Sequence, residues 1–259
     1  MVLEYYGMGR KVLSRVLGLF LVNVFLAFMS IDNIRRVLEF NGFHVGFRLS
    51  LPVTVPTVWD FVEPPPSPPS YYVASAWFII ALISLIVNSV ITYFYLRIIM
   101  SRGLDHQPPS TPIRIIDLIL YGLIGLFFAA IIVVAGLAAL MLFPLVIILY
   151  YFIYATPYII VAENKNIAEA LATSIKLAST GTYLTYTLTY IAIVLLISPI
   201  LTLITVNTKL PGIIVGSVIA GIIGLWLTSS TTAMILDKQG LLGREEATIQ
   251  LPPPPPPMQ

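Results

Sequence analysis

The chain has 259 residues, of which 58% are hydrophobic and only 10% charged, and its formal net charge is +2. A soluble domain carries about 25% charged residues, so a water-soluble globule is excluded; disorder is excluded too, because it needs few apolar side chains and much charge. Cysteine is absent, which removes disulfide frameworks, thiolate metal sites and thiol nucleophiles.

Long apolar runs with charged flanks predict an all-α membrane protein, a six-transmembrane helix bundle forming one domain over residues 1–240. The first span, at about residues 12–30, follows Arg10, Lys11 and Arg15. It resembles an uncleaved signal anchor, since no small-residue cleavage pattern follows it. The second is expected at 73–96. The third and fourth, 117–138 and 142–162, divide a stretch from Leu118 to Ala162 that contains no charge. As one helix this stretch would reach about 68 Å, twice a hydrocarbon core, so it must fold back, with Gly136 and Pro144 bracketing the turn and Pro144 starting a helix. The fifth and sixth are expected at 182–206 and 212–236.

Lysine and arginine set the orientation, because cytoplasmic loops retain them. Arg10, Lys11, Arg15, Arg97, Arg102, Arg114, Lys165, Lys176, Lys238 and Arg244 fall on one side, whereas Arg35, Arg36, Arg48 and Lys209 fall on the other. Both termini are therefore expected in the cytoplasm of a multi-pass protein of the cell membrane, which agrees with an even number of spans.

Residues 31–72 form the longest external insert. Asp32 or Asn33 is placed to cap a short helix through Arg35, Arg36 and Glu39. Phe43, Val45, Phe47, Leu49, Leu51, Val53 and Val55 then alternate with polar or turn-forming residues, a period of two that fits extended chain with one apolar face. Pro52 and Pro56 confine it to an edge or a bent strand. This face either rests on the protein's own helix ends or headgroups, or serves as the main external docking surface for a partner, held away from the spans by Arg48 and the proline spacer from Glu63 to Ser70. A second proline run, Pro252–Pro257, marks residues 241–259 as a cytoplasmic tail.

Apart from Arg15 and Asp117 at span ends, no Asp, Glu, Lys, Arg or His lies in a predicted span, and none lies in a span interior, which argues against ion coupling and intramembrane hydrolysis. His44 and His106 fall in loops on opposite faces, so neither a paired-histidine metal site nor a Ser/His/Asp triad is expected. In the sixth span Gly212, Gly216, Ala220 and Gly224 recur every fourth residue and give a face for close helix packing, within the subunit or as a homodimer seam. In the fifth, Tyr183 and Tyr186 suit an interfacial anchor. Asn23 and Asn88 suit hydrogen bonds between helices.

Between the fourth and fifth spans, Asn164 or Asn166 is placed to cap a cytoplasmic helix over 164–179, with Ile167, Leu171, Ser174, Ile175 and Ala178 on one face and Glu169 and Lys176 toward water. The residues Pro157-Tyr-Ile-Ile-Val161 with Glu163, then Ala168-Glu-Ala-Leu171 with Ser174, resemble the integral-membrane domain of glycerophosphoryl diester phosphodiesterases over about residues 97–236. The soluble catalytic barrel of such relatives has no counterpart here, so the resemblance implies a membrane domain without phosphodiesterase activity. Glu169-Ala-Leu171 also looks like the start of the coupling loop of ABC permeases, although that pattern has Ala where Leu171 stands.

The expected role is a non-enzymatic polytopic membrane protein, an accessory or structural subunit or scaffold of a membrane assembly. The alternative is a transporter permease-like subunit with Glu163, Ile167, Glu169, Leu171, Ser174 and Lys176 in its cytoplasmic coupling helix. Catalytic, metal-binding and cofactor-binding residues are not expected. The expected partners are the lipid bilayer and other membrane subunits or a second copy, not nucleic acid.

Overall fold

A computed structural model describes residues 2–66, 74–109, 114–135 and 139–242. All regular elements among these are helical: α1 (Val2–Val16), α2 (Phe20–Met29), α3 (Ile31–Glu39), α4 (Ala74–Ile98), α5 (Ile115–Ala135), α6 (Ala139–Ile153), α7 (Thr156–Glu163), α8 (Ile167–Ala178), α9 (Gly181–Asn207) and α10 (Leu210–Lys238). Five stretches are long and apolar enough to cross a membrane, namely Val2–Met29, Ile79–Gly103, Pro144–Glu163, Gly181–Asn207 and Leu210–Lys238. The chain is thus a multi-pass helical membrane protein. The predicted span at 117–138 falls on α5, whose apolar stretch Ile115–Phe128 is shorter. Gly136, the proline spacer from Ser67 onward and the tail from residue 243 lie outside the described residues.

Two boundaries differ from the sequence reading. The first helical stretch begins at Val2, ahead of its charges, because Tyr5, Tyr6, Gly9, Val12 and Val16 turn one face of α1 into the bundle. A β-carbon on Gly9 would strike Ser230 Oγ and the Trp226 carbonyl of α10, so only glycine allows the two backbones this approach. A 3-10 turn at Leu17–Leu19 joins α1 to α2. The second difference is Pro144, which lies inside α6 rather than at its start. The chain breaks instead at Tyr154–Ala155, and α7 restarts with a proline in its first turn, where the missing N–H has no helical partner to lose.

The centre is α7, in which every residue from Thr156 to Ala162 is buried, together with the buried stretch of α10 from Leu227 to Leu236. Tyrosines fill the space between helices. Tyr6 stacks on Tyr186 with centroids 5.2 Å apart, and Tyr154 stacks on Tyr183 at 5.0 Å. Tyr183 donates to the Tyr151 carbonyl and Trp226 Nε1 to that of Tyr6. Tyr183 and Tyr186 are therefore core residues, not interfacial anchors: their rings bury apolar area while their hydroxyls find buried acceptors.

Polar contacts mark two ends of the bundle. At the amino-terminal end Tyr5 donates to Asp237, Arg15 pairs with Asp105 at 2.7 Å, and Arg114 donates to the Asn164 carbonyl. At the far end His44 and Asn207 exchange two bonds of 2.9 Å, the backbone of His44 meeting the amide side chain of Asn207. Asn166 caps α8 by accepting from the Glu169 N–H, whereas Asn164 ends α7 in a left-handed conformation, φ 53°. For α3 neither Asp32 nor Asn33 is the cap, since that position falls on Ser30.

Candidate functional site

An extended chain that enters a helix bundle must find partners for its peptide groups. Residues 43–63 do so on α9. Beyond the His44–Asn207 pair, the Arg48 N–H donates to Ser198 Oγ at 2.6 Å, nine residues back along α9 and about 14 Å deeper at the helical rise. At the tip, the Val53 carbonyl accepts from the Tyr158 hydroxyl at 3.1 Å, and the Thr54 and Thr92 hydroxyls meet at 3.4 Å. The Pro56 carbonyl accepts from Asn23 Nδ2 at 2.6 Å, while Tyr95 donates to the other side of the same amide at 3.0 Å. A β-carbon on Gly224, near the middle of α10, would stand 2.6 Å from the Pro56 ring, so that glycine makes the seat for the tip.

The chain then returns. Thr57 and Asp60 form a reciprocal capping box around a single turn, with the Thr57 N–H donating to Asp60 Oδ2 at 2.7 Å. Trp59 Nε1 donates to the Ala27 carbonyl, and the Glu63 N–H to Thr202 Oγ1. The legs lie side by side: Arg48 pairs with Glu63 at 3.4 Å, and a β-carbon on Gly46 would strike the Glu63 side chain. This corrects the expectation that the segment stands away from the helices. Its alternation was legible; its partners, about 150 residues distant in sequence, were not.

The apolar edge splits accordingly. Phe43, Val45, Phe47 and Leu49 are 77, 44, 67 and 56% exposed, whereas Leu51, Val53 and Val55 are half-buried where the chain passes between helices. Sequence reading missed the return leg, in which Val58, Trp59, Phe61 and Val62 are all buried. The signal was the apolar run Val58–Val62, interrupted by a single acid, Asp60, between Pro56 and Pro64.

Two cavities flank the tip. One, of about 540 Å³, lies between α2, the return leg and α4, with Ser30, Asn33, Thr57, Trp59 and Asp60 in its wall. The other, of about 420 Å³, lies between α4, α5 and α7 and reaches Leu118, Tyr121 and Pro157. Thr54, Ser84, Asn88 and Thr92 line both, so the two abut there. On α4 Ser84, Asn88 and Thr92 recur every fourth residue, which puts them on one helix face. That spacing was available in the sequence. Burial raises the Asp60 carboxyl above the usual carboxylate range, opposed by the Thr57 hydrogen bonds and the charge of Arg48.

The other candidate residues are not brought to this place, apart from Gly224. Gly212 and Gly216 abut α9, where a β-carbon would strike Thr208 and Thr205, and Ala220 is buried. The small-residue face is thus occupied within the chain. On α8 the buried positions are Ala170, Ser174, Leu177 and Ala178, a face rotated from the expected one, and Ile175 is exposed. Ser174 Oγ donates to the Phe152 carbonyl, which fixes that rotation. Glu163 pairs with Lys165 at 2.8 Å, Ile167 and Leu171 are half-buried, and Glu169 and Lys176 face outward. No group of three His, Cys, Asp or Glu that would hold a metal occurs among the described residues.

In comparisons with known proteins, no family model matches the chain, and neither a curated protein nor a solved structure matches it.

Proposed function

We propose that the chain is a permease-like membrane protein that passes small polar solutes along α4. The observation that carries this reading is the pair of cavities meeting at Thr54, Ser84, Asn88 and Thr92. Ser84 and Asn88 sit in a mostly apolar helix, line these cavities, and make no hydrogen bond among the described residues. An amide in an apolar span is costly unless water or a solute satisfies it. Irregular backbone at membrane depth belongs where it is buried in protein or lines such a cavity, as residues 43–63 do. The cavities extend from Asn33 beyond α2 to Leu118 near the start of α5, and the Thr54–Thr92 contact narrows the junction between them.

In this reading six spans place both termini in the cytoplasm. It is supported by the five long helices plus α5, and by the basic residues Arg15, Arg114 and Lys165 at the amino-terminal end of the bundle. With the native chain free of cysteine, Lys165→Cys should be shielded from an impermeant thiol reagent in intact cells, and Ser67→Cys should label; the reverse pattern would overturn the orientation.

The flux test uses purified protein in liposomes under a glycerol gradient, read by light scattering. Wild-type vesicles should equilibrate faster than empty ones, and Asn88→Leu should return the rate to that of empty vesicles. Equal rates for all three would refute the path. A second reading, an accessory subunit or scaffold that associates with other membrane subunits or a second copy, is favoured by the exposed Phe43, Phe47 and Leu49. Replacing these three with serine should then release co-purifying membrane proteins without changing glycerol flux.

A further inference from the structure

The cavity beside the return leg has an asymmetric charge. Among its described lining residues Asp60 is the one ionisable group, and no Lys, Arg or His joins it. Asp60 Oδ2 accepts both the Thr57 N–H and the Thr57 hydroxyl, at 2.7 and 3.1 Å, whereas Oδ1 accepts nothing among the described residues. The guanidinium of Arg48, whose charge reaches Asp60, makes its ion pair with Glu63 at 3.4 Å. A largely enclosed carboxylate with no cation at ion-pair distance among the described residues gains from one in the cavity, or gives up its charge.

Next to it Trp59 presents an indole whose N–H is already donated to the Ala27 carbonyl, so what it offers the cavity is its ring. A carboxylate and an indole ring in one wall are the two groups that attract a cation, by charge and by the ring quadrupole. The remaining wall is mixed, with Leu26, Met29, Val53 and Val87 opposite the hydroxyls and amides. A volume of about 540 Å³ is far larger than a bare metal ion needs and falls in the range of small organic ligands.

We infer that this cavity binds a small organic ammonium ion, with Asp60 as its counter-charge and Trp59 against its alkyl groups. The inference deepens the path reading above by naming the charge class of its solute. A neutral polar solute would leave Asp60 uncompensated, and an anion would face its repulsion.

Radiolabelled choline is the probe, measured by equilibrium binding to the purified full-length protein and, separately, by uptake into liposomes. Wild type should bind choline, with displacement by tetramethylammonium but not by acetate or glycerol. Asp60→Asn, which keeps an oxygen for Thr57, should weaken binding at least tenfold; Trp59→Leu should weaken it several-fold. If Asp60→Asn does not fold, the displacement pattern of the wild type decides alone. Equal choline binding by wild type and a folded Asp60→Asn, or displacement by acetate as readily as by tetramethylammonium, would overturn the inference. Choline that binds while neither it nor glycerol crosses overturns the path reading and leaves this site standing. Glycerol flux without choline binding does the opposite.

Discussion

Asn23 is the side chain on which the position of the loop tip turns, and its replacement by leucine tests that position. The amide is fully buried, donates to the Pro56 carbonyl at 2.6 Å and accepts from Tyr95 at 3.0 Å. Leucine keeps the branched outline and the number of side-chain heavy atoms, so no cavity opens, but it strands both a buried carbonyl and a buried hydroxyl. Stranding costs about 1–3 kcal/mol per group, while hydrogen bonds between membrane helices average about 0.6 kcal/mol and reach about 1.7. Asn23→Leu should therefore destabilise the protein by about 2–3 kcal/mol. Tyr95→Phe, which removes one bond and leaves the amide its partner at Pro56, should cost about 1 kcal/mol by the same measure. Because both changes break the same Tyr95–Asn23 contact, the double variant should cost no more than Asn23→Leu alone, a coupling of about 1 kcal/mol. Unfolding in mixed micelles with increasing dodecyl sulfate gives all four free energies. An Asn23→Leu protein within about 0.5 kcal/mol of wild type, or strictly additive variants, would refute the placement of Pro56 against this amide.

Gly46→Val should separate the two legs at Glu63 and destabilise by about 1–3 kcal/mol through overpacking, whereas Gly7→Ala, with open space around it, should leave stability unchanged or raise it by up to about 1 kcal/mol; thermal unfolding in detergent compares the two. Choline binding should depend on pH with a definite sign. The cation needs the ionised carboxylate, and burial raises Asp60, so binding should be complete at high pH and fall as pH drops through a midpoint above the ordinary carboxylate value of about 4. The charged pair Arg48–Glu63 and the hydroxyls of Tyr150 and Tyr190 are the other ionisable neighbours of Asp60. An unaltered pH profile in Asp60→Asn would show that Asp60 does not set the midpoint.

What the sequence revealed was the part of the fold set by local pattern. Apolar runs locate α4, α9 and α10, because a helix in lipid needs apolar side chains on most sides. The α8 cap was readable at Asn164 or Asn166, since capping is decided within three residues. Spacing at Gly212, Gly216, Ala220 and Gly224 announced close approach, but not that Thr205, Thr208 and Pro56 are what approaches. The period of two at residues 43–55 announced an extended chain with one apolar face. It was silent about Ser198, Thr202 and Asn207, which hold that chain, because a hydroxyl on a long apolar helix looks the same whether it bonds its own preceding turn or a distant peptide. Asp60 escaped notice for a related reason: a search of the spans for buried charge overlooks an acid that a loop carries in between them.

The central claim is that residues 43–63 run down between the helices and turn at Thr54 beside α4. The chain lacks cysteine, so the double variant Thr54→Cys, Thr92→Cys isolates the point where the two hydroxyls meet at 3.4 Å. Mild oxidation of membranes should join the two positions, as a shift in gel mobility reversed by reductant, and should slow glycerol flux until the bond is reduced. A pair that stays reduced under oxidation, with Thr54→Cys freely labelled by a bulky impermeant maleimide, would place the segment outside the bundle and contradict the account.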